Sequence, residues 1–140
     1  MRILFQSFAV MAVVLLAVEV SHADEAAEKH AVLAAEQWLK IVDAEQYGQS
    51  WEIASPFVKN MVQKDQWSKS VSGARKPFGA LVSRSLKSQQ YATTLPGAPD
   101  GEYVVIQYSA SFQNKKSAIE TVTPKRDTDG SWRVAGYYIR

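Results

Sequence analysis

From Gly101 to Arg140 the chain reads as three strand-length runs, GEYVVIQYSASF, SAIETVTPK and SWRVAGYYIR, joined by short turns at 113–116 (QNKK) and 127–130 (DTDG). Turns this short between alternating apolar runs can join only antiparallel neighbours, so this end of the chain is a β-meander. Everything between the N-terminal apolar run and the meander has helical spacing, apart from one further strand. Helices followed by a run of strands predict an α+β domain, because a parallel sheet would need the two to alternate.

The helical part is legible position by position. Ala31, Val32, Ala35, Trp38, Leu39 and Val42 recur at helical spacing between Glu25 and Asp43, with Asp24 as a cap. A shorter helix fits Tyr47 to Ala54, and Ser55 followed by Pro56 suits the start of another turn through Met61. A third fits Asp65 to Arg75, with Trp67, Val71 and Ala74 on one stripe; Pro77 ends it. The first strand runs from about Leu81 to Thr94, and LPGAPDG at 95–101 turns it back. The predicted architecture is short N-terminal helices packed on a curved four-stranded antiparallel sheet, in a single domain over residues 24–140.

Residues 1–23 have the form of a secretory signal peptide: Arg2, an apolar run from Phe8 to Val18, then Ser21, His22 and Ala23 before the cleavage point. The run is shorter than the ~20 apolar residues that span a bilayer, so no membrane span is expected in the mature chain. The expected destination is the periplasm, or the medium, after cleavage near Ala23. The leader carries Arg2 and Glu19, so the formal net charge of +2 is unchanged by their removal. Such a balance selects no polyanion. The basic pairs Lys115 with Lys116 and Lys125 with Arg126 sit at or near hairpin ends and read as solvated turns, not as a nucleic-acid surface. There is no cysteine, which excludes disulfides, thiolate metal sites and a cysteine nucleophile, and two histidines leave little for a zinc site. No metal or other cofactor is expected, and no catalytic motif stands out.

Alternation divides the meander into two faces. Val104, Ile106, Tyr108, Ala110 and Phe112 share one side of their strand; Ala118, Glu120 and Val122, and Trp132, Val134, Gly136 and Tyr138, follow on the next two. Glu120 is thereby the one acidic side chain expected between sheet and helices, and Arg84, on the Val82 and Leu86 face of the first strand, is its natural partner. An unpaired carboxylate there would cost several kcal/mol; a bidentate arginine contact compensates it. Two readings are open. Arg84 and Glu120 line a small-molecule pocket walled by Trp38, Trp51, Trp67, Tyr108 and Tyr138, or they form a structural ion pair under an aromatic core. The other face, with Tyr103, Val105, Ile119, Ala135, Tyr137 and Ile139, is apolar enough to suggest a homodimer through it.

The blocks LPGAPDGEYVVIQY at 95–108, KKSAIETVTP at 115–124 and DGSWRVAGYYI at 129–139, with WLKIVDAEQYGQSWEIASPFVK in the helical part, resemble the bacterial family labelled domain of unknown function 4019. The element order resembles the cystatin-like, nuclear transport factor 2-like fold. The resemblance implies an exported protein whose sheet wraps its helices around a conical cavity, with no catalytic positions to carry over. The function expected is a non-catalytic module that binds a small ligand or a protein. The alternatives are an isomerase, dehydratase or hydrolase with Glu120 as base and Tyr108 or Tyr138 as donor, or a structural dimer of the envelope.

Overall fold

A computed structural model describes residues 22–140; the run before His22, on which the expected signal peptide falls, lies outside the described residues. Four helices come first, α1 His22–Asp43, α2 Tyr47–Glu52, α3 Pro56–Met61 and α4 Lys64–Arg75. A 3-10 turn, Lys76–Phe78, leads into the strands β1 Leu81–Ala92, β2 Tyr103–Phe112, β3 Lys115–Arg126 and β4 Trp132–Ile139. All pairs are antiparallel and the sheet order is β1-β2-β3-β4. The α+β arrangement and the single sheet are as the pattern predicts. Among the described residues no helix is long and apolar enough to cross a membrane.

Helix α1 is the spine. Its buried positions, Ala27, Ala31, Ala35, Trp38, Leu39 and Val42, form one stripe, and it packs on all four strands. Small alanines let the helix come close to the sheet, and the large side chains of its C-terminal half fill the centre of the core with Val104, Ile106, Tyr108, Val122 and Val134. The helix begins before Asp24, which therefore lies in its first turn and not at the cap. It ends by a double hydrogen bond, Gln46 N–H to Ile41 O at 3.1 Å and Glu45 N–H to Val42 O at 2.9 Å, the Schellman arrangement. Glu45 takes the left-handed position with φ 60°, where glycine is usual.

Ser55 caps α3 by accepting from Phe57 N–H at 3.3 Å, ahead of Pro56 in the first turn. Its hydroxyl donates to Asp127 at 2.6 Å and its own N–H to Val134 O at 2.8 Å, so one buried serine ties the short helices to β4. At the other end of the sheet, Gly79 at φ 76° lets the chain run against the β2–β3 turn, whose Gln113 and Asn114 N–H groups bond Ala80 O and Phe78 O. A Cβ on Gly79 would come within 3.0 Å of Asn114 Nδ2.

Four bulges modify the strands. Val82 and Lys87 are extra residues in β1, β3 has one extra residue between Lys115 and Ala118 opposite the Phe112–Ala110 step of β2, and Ala135 is one in β4, where Thr123 faces Gly136 but Pro124 faces Val134. A bulge reverses which face the following side chains occupy. The inward set on β4 is therefore Trp132 and Val134 before the bulge and Tyr137 and Ile139 after it. This overturns the simple alternation for Gly136 and Tyr138, which face outward with Tyr138 62% exposed. Val82 is likewise displaced from the Arg84 face and lies 70% exposed.

Candidate functional site

Glu120 is fully buried, between Ala118 and Val122 on the inner face of β3. Arg84 Nε donates to its Oε1 at 2.7 Å and Nη2 to its Oε2 at 3.2 Å, a bidentate contact. The same guanidinium donates to Asp43, the last residue of α1, through Nη1 at 2.8 Å and Nη2 at 2.9 Å. Arg75, from the last turn of α4, gives Asp43 a further bond at 2.9 Å and sets Nη1 3.7 Å from Glu120 Oε2. Tyr137 completes the group, its hydroxyl donating to Glu120 Oε2 at 2.5 Å. Two carboxylates and two guanidiniums thus close on one another where α1, α4, β1 and β3 meet. Balanced charge and several shared hydrogen bonds are what allow such groups to remain under a sheet.

The environment holds Asp43 ionised and Arg75, Arg84 and Tyr137 protonated. Burial pushes the Asp43 carboxyl up, but the hydrogen bonds and charges of Arg84, then Arg75, outweigh it and leave it below its usual 3.8. Burial opposes the charge on Arg84, yet the bonds to Asp43 and Glu120 win and strengthen its hold on the proton. Burial, the Glu120 charge and the bond to Glu120 all keep Tyr137 protonated. Burial and the charge of Glu36 push Tyr108 up to about 12. Each hydroxyl is therefore a donor at neutral pH, and the phenol of Tyr137 is already used.

The predicted aromatic set divides. Trp38, 1% exposed, packs on Tyr137 at 5.0 Å between centroids and on Trp67 at 6.3 Å, edge to face. Its indole N–H donates to Ser50 O, and that of Trp67 to Ser50 Oγ, each at 3.0 Å. An aromatic chain Trp67–Trp38–Tyr137 thus leads to Glu120 as packed core. Trp51 is elsewhere, holding the end of α3 through a bond to Val62 O at 2.9 Å. Tyr138, on the outer face, joins no such wall. Arg84 and Tyr108 line a recess of about 190 Å³ with Glu36, Leu39, Lys40 and Leu86 on the β1 side of α1. Asp43 and Arg75 line a cleft of about 360 Å³ with Glu45, Tyr47 and Lys76. The largest depression described, about 590 Å³, lies on the opposite flank of α1, against Trp132 and the β3–β4 turn.

Asp43 and Arg75 were not anticipated, though each left a trace in the sequence. Arg75 stands four residues after Val71 and eight after Trp67, on the buried stripe of α4, and Asp43 follows Val42 at the end of the stripe of α1. A charged residue in line with a helix's apolar stripe was the available signal.

The outer face also differs from expectation. Tyr137 and Ile139 point inward, Ile139 packing with Ala110, Phe112 and Ala118. Tyr103 is 1% exposed, its hydroxyl bonded to Pro99 O at 2.5 Å, so the chain's own 95–101 loop covers it. Val105 and Ile119 remain on the outer side with Tyr138, among Ser109, Ser111, Thr121 and Thr123.

These observations define a class: a small α+β domain with helices on one face of an antiparallel sheet and a charge-balanced cluster between the layers, in which Arg75 Nε and Nη1 are buried without a hydrogen bond. The chain belongs to the family described as Protein of unknown function (DUF4019), whose model matches residues 34–137. The matched span contains every member of the cluster. No curated protein and no solved structure matches the chain.

Proposed function

We propose that this protein is an exported, non-catalytic binding domain with a nuclear transport factor 2-like arrangement of helices on its sheet. The observation that carries this reading is the state of Glu120. A general base needs a lone pair that can reach a substrate proton, whereas this carboxylate is 0% exposed, with one oxygen held by Arg84 and the other by Arg84 and Tyr137. Its surroundings serve the fold and leave recognition to the surface depressions beside α1. Export is supported by the leader pattern of the first residues.

The test is a thermal-shift screen of the protein against small metabolites and cell-envelope fragments, since a ligand that binds the folded state raises the midpoint by mass action. Each hit is then incubated with the protein and analysed by mass spectrometry. The expected result is a raised midpoint with the ligand recovered unchanged. Turnover that disappears in a folded Glu120→Gln variant would establish the enzyme instead.

A further inference from the structure

The groove on the β4 flank of α1 is larger than the other depressions described and, unlike them, is lined by a tryptophan. Its volume of about 590 Å³ is within the ~300–1,000 Å³ typical of small-ligand sites. One wall is the exposed flank of α1, with Ala26, Leu33, Ala34 and Gln37; the other is Ser131, Trp132 and the Glu102–Arg126 pair. That pair is satisfied within the protein. Arg126 Nη1 donates to Glu102 Oε2 at 3.2 Å, Tyr91 donates to Oε1 at 3.1 Å, and the Arg126 N–H bonds Glu102 O at 2.9 Å. Neither charge requires a counter-ion from a ligand, so the groove favours a neutral one.

Trp132 is the second observation. The indole N–H groups of Trp38, Trp51 and Trp67 are all donated to protein acceptors; that of Trp132 has no such partner among the described residues. Half-buried beside the groove, it offers a flat apolar surface and an unused donor at the same place. Gln37 and His30 lie along the facing helix, two turns apart, about 10 Å along the axis. An aromatic platform bordered by an amide, an imidazole and a hydroxyl, without net charge, matches a ring that is apolar on its faces and hydroxylated at its rim. A purely apolar ligand would bury those polar groups unpaired.

We infer that this groove binds a neutral saccharide segment, stacked on Trp132 and hydrogen-bonded by Gln37, His30 and Ser131. The inference rests on the binding-domain reading above and adds the ligand class and the place. The probes are β-1,4-linked N-acetylglucosamine dimer and tetramer and maltotetraose, titrated into the protein by calorimetry and by intrinsic fluorescence. Binding of at least one oligomer is expected, with affinity lowered about tenfold or more by Trp132→Ala and also lowered by Gln37→Ala, a change at an exposed helical position that leaves folding intact. Failure of all three sugars at millimolar concentration, or binding indifferent to Gln37→Ala and Trp132→Ala, overturns the inference. If the wider screen finds a non-saccharide ligand while the sugars fail, the binding-domain reading stands and this ligand class does not. If no small molecule binds, both fall.

Discussion

Replacing Glu120 by alanine tests the charge cluster directly. The change removes the acceptor of two Arg84 N–H groups and of the Tyr137 hydroxyl, and leaves Arg75 and Arg84 to share Asp43 alone. One positive charge is then uncompensated in a region where Arg75 is 5% and Arg84 13% exposed. Breaking a buried ion pair from one side costs ~3–5 kcal/mol. For a domain near this size each kcal/mol moves the midpoint by about 4 °C, so a fall of roughly 12–20 °C is expected. Adding Arg84→Leu to Glu120→Ala restores the balance, because Asp43 and Arg75 remain as a neutral couple. The double variant should therefore be more stable than the sum of the single losses predicts, by about 2 kcal/mol. Urea unfolding followed by tryptophan fluorescence reads this, since Trp38 packs on Tyr137 and Tyr137 bonds Glu120. A Glu120→Ala loss below about 1 kcal/mol, or strict additivity in the double variant, would refute the cluster as a coupled unit.

Three further outcomes follow from the same geometry. Asp43 binds its proton more weakly folded than unfolded, so its contribution is complete above the unfolded value of about 3.9 and is lost as pH falls through the lower folded value; Asp43→Asn should flatten the acid limb of a urea-midpoint against pH curve. Glu45→Gly should raise stability by about 0.5–1 kcal/mol, because glycine takes the left-handed position at the end of α1 without the Cβ penalty; calorimetry showing a loss would mean that the Glu45 side chain matters more than its backbone. Ile139→Asp should destabilise the fold by about 1–3 kcal/mol, as a charge at a partly buried position packed on Phe112 and Ala118, whereas Tyr138→Ser should stay within about 0.5 kcal/mol of the parent. The reverse order in thermal melts would restore the unbroken alternation of β4.

How far the site was legible depended on how local its causes were. Glu120 could be placed inside because β3 alternates without interruption from Ala118 to Pro124, and Arg84 could be matched to it because β1 and β2 pair in simple register through Arg84 and Ala110. Tyr137 and Tyr138 were exchanged because the bulge at Ala135 shifts the register by one, and nothing in the run SWRVAGYYIR marks which residue is extra. Asp43 and Arg75 were missed because their partners are on other elements, and a charged residue at a helix end reads equally well as solvated.

What the residues determined unaided is the kind of element each segment forms: helical spacing in α1 and α4, the serine and proline start of α3, the turns of the meander, and a cysteine-free, nearly neutral composition. These depend on interactions within a few residues of one another. Only the tertiary structure decided that two carboxylates and two arginines from four elements close into one neutral group, that the 95–101 loop covers Tyr103, and that Trp132 keeps its donor free beside a groove. Such features arise where distant segments meet, and the register that brings them together can move by one residue without leaving a trace in the local pattern.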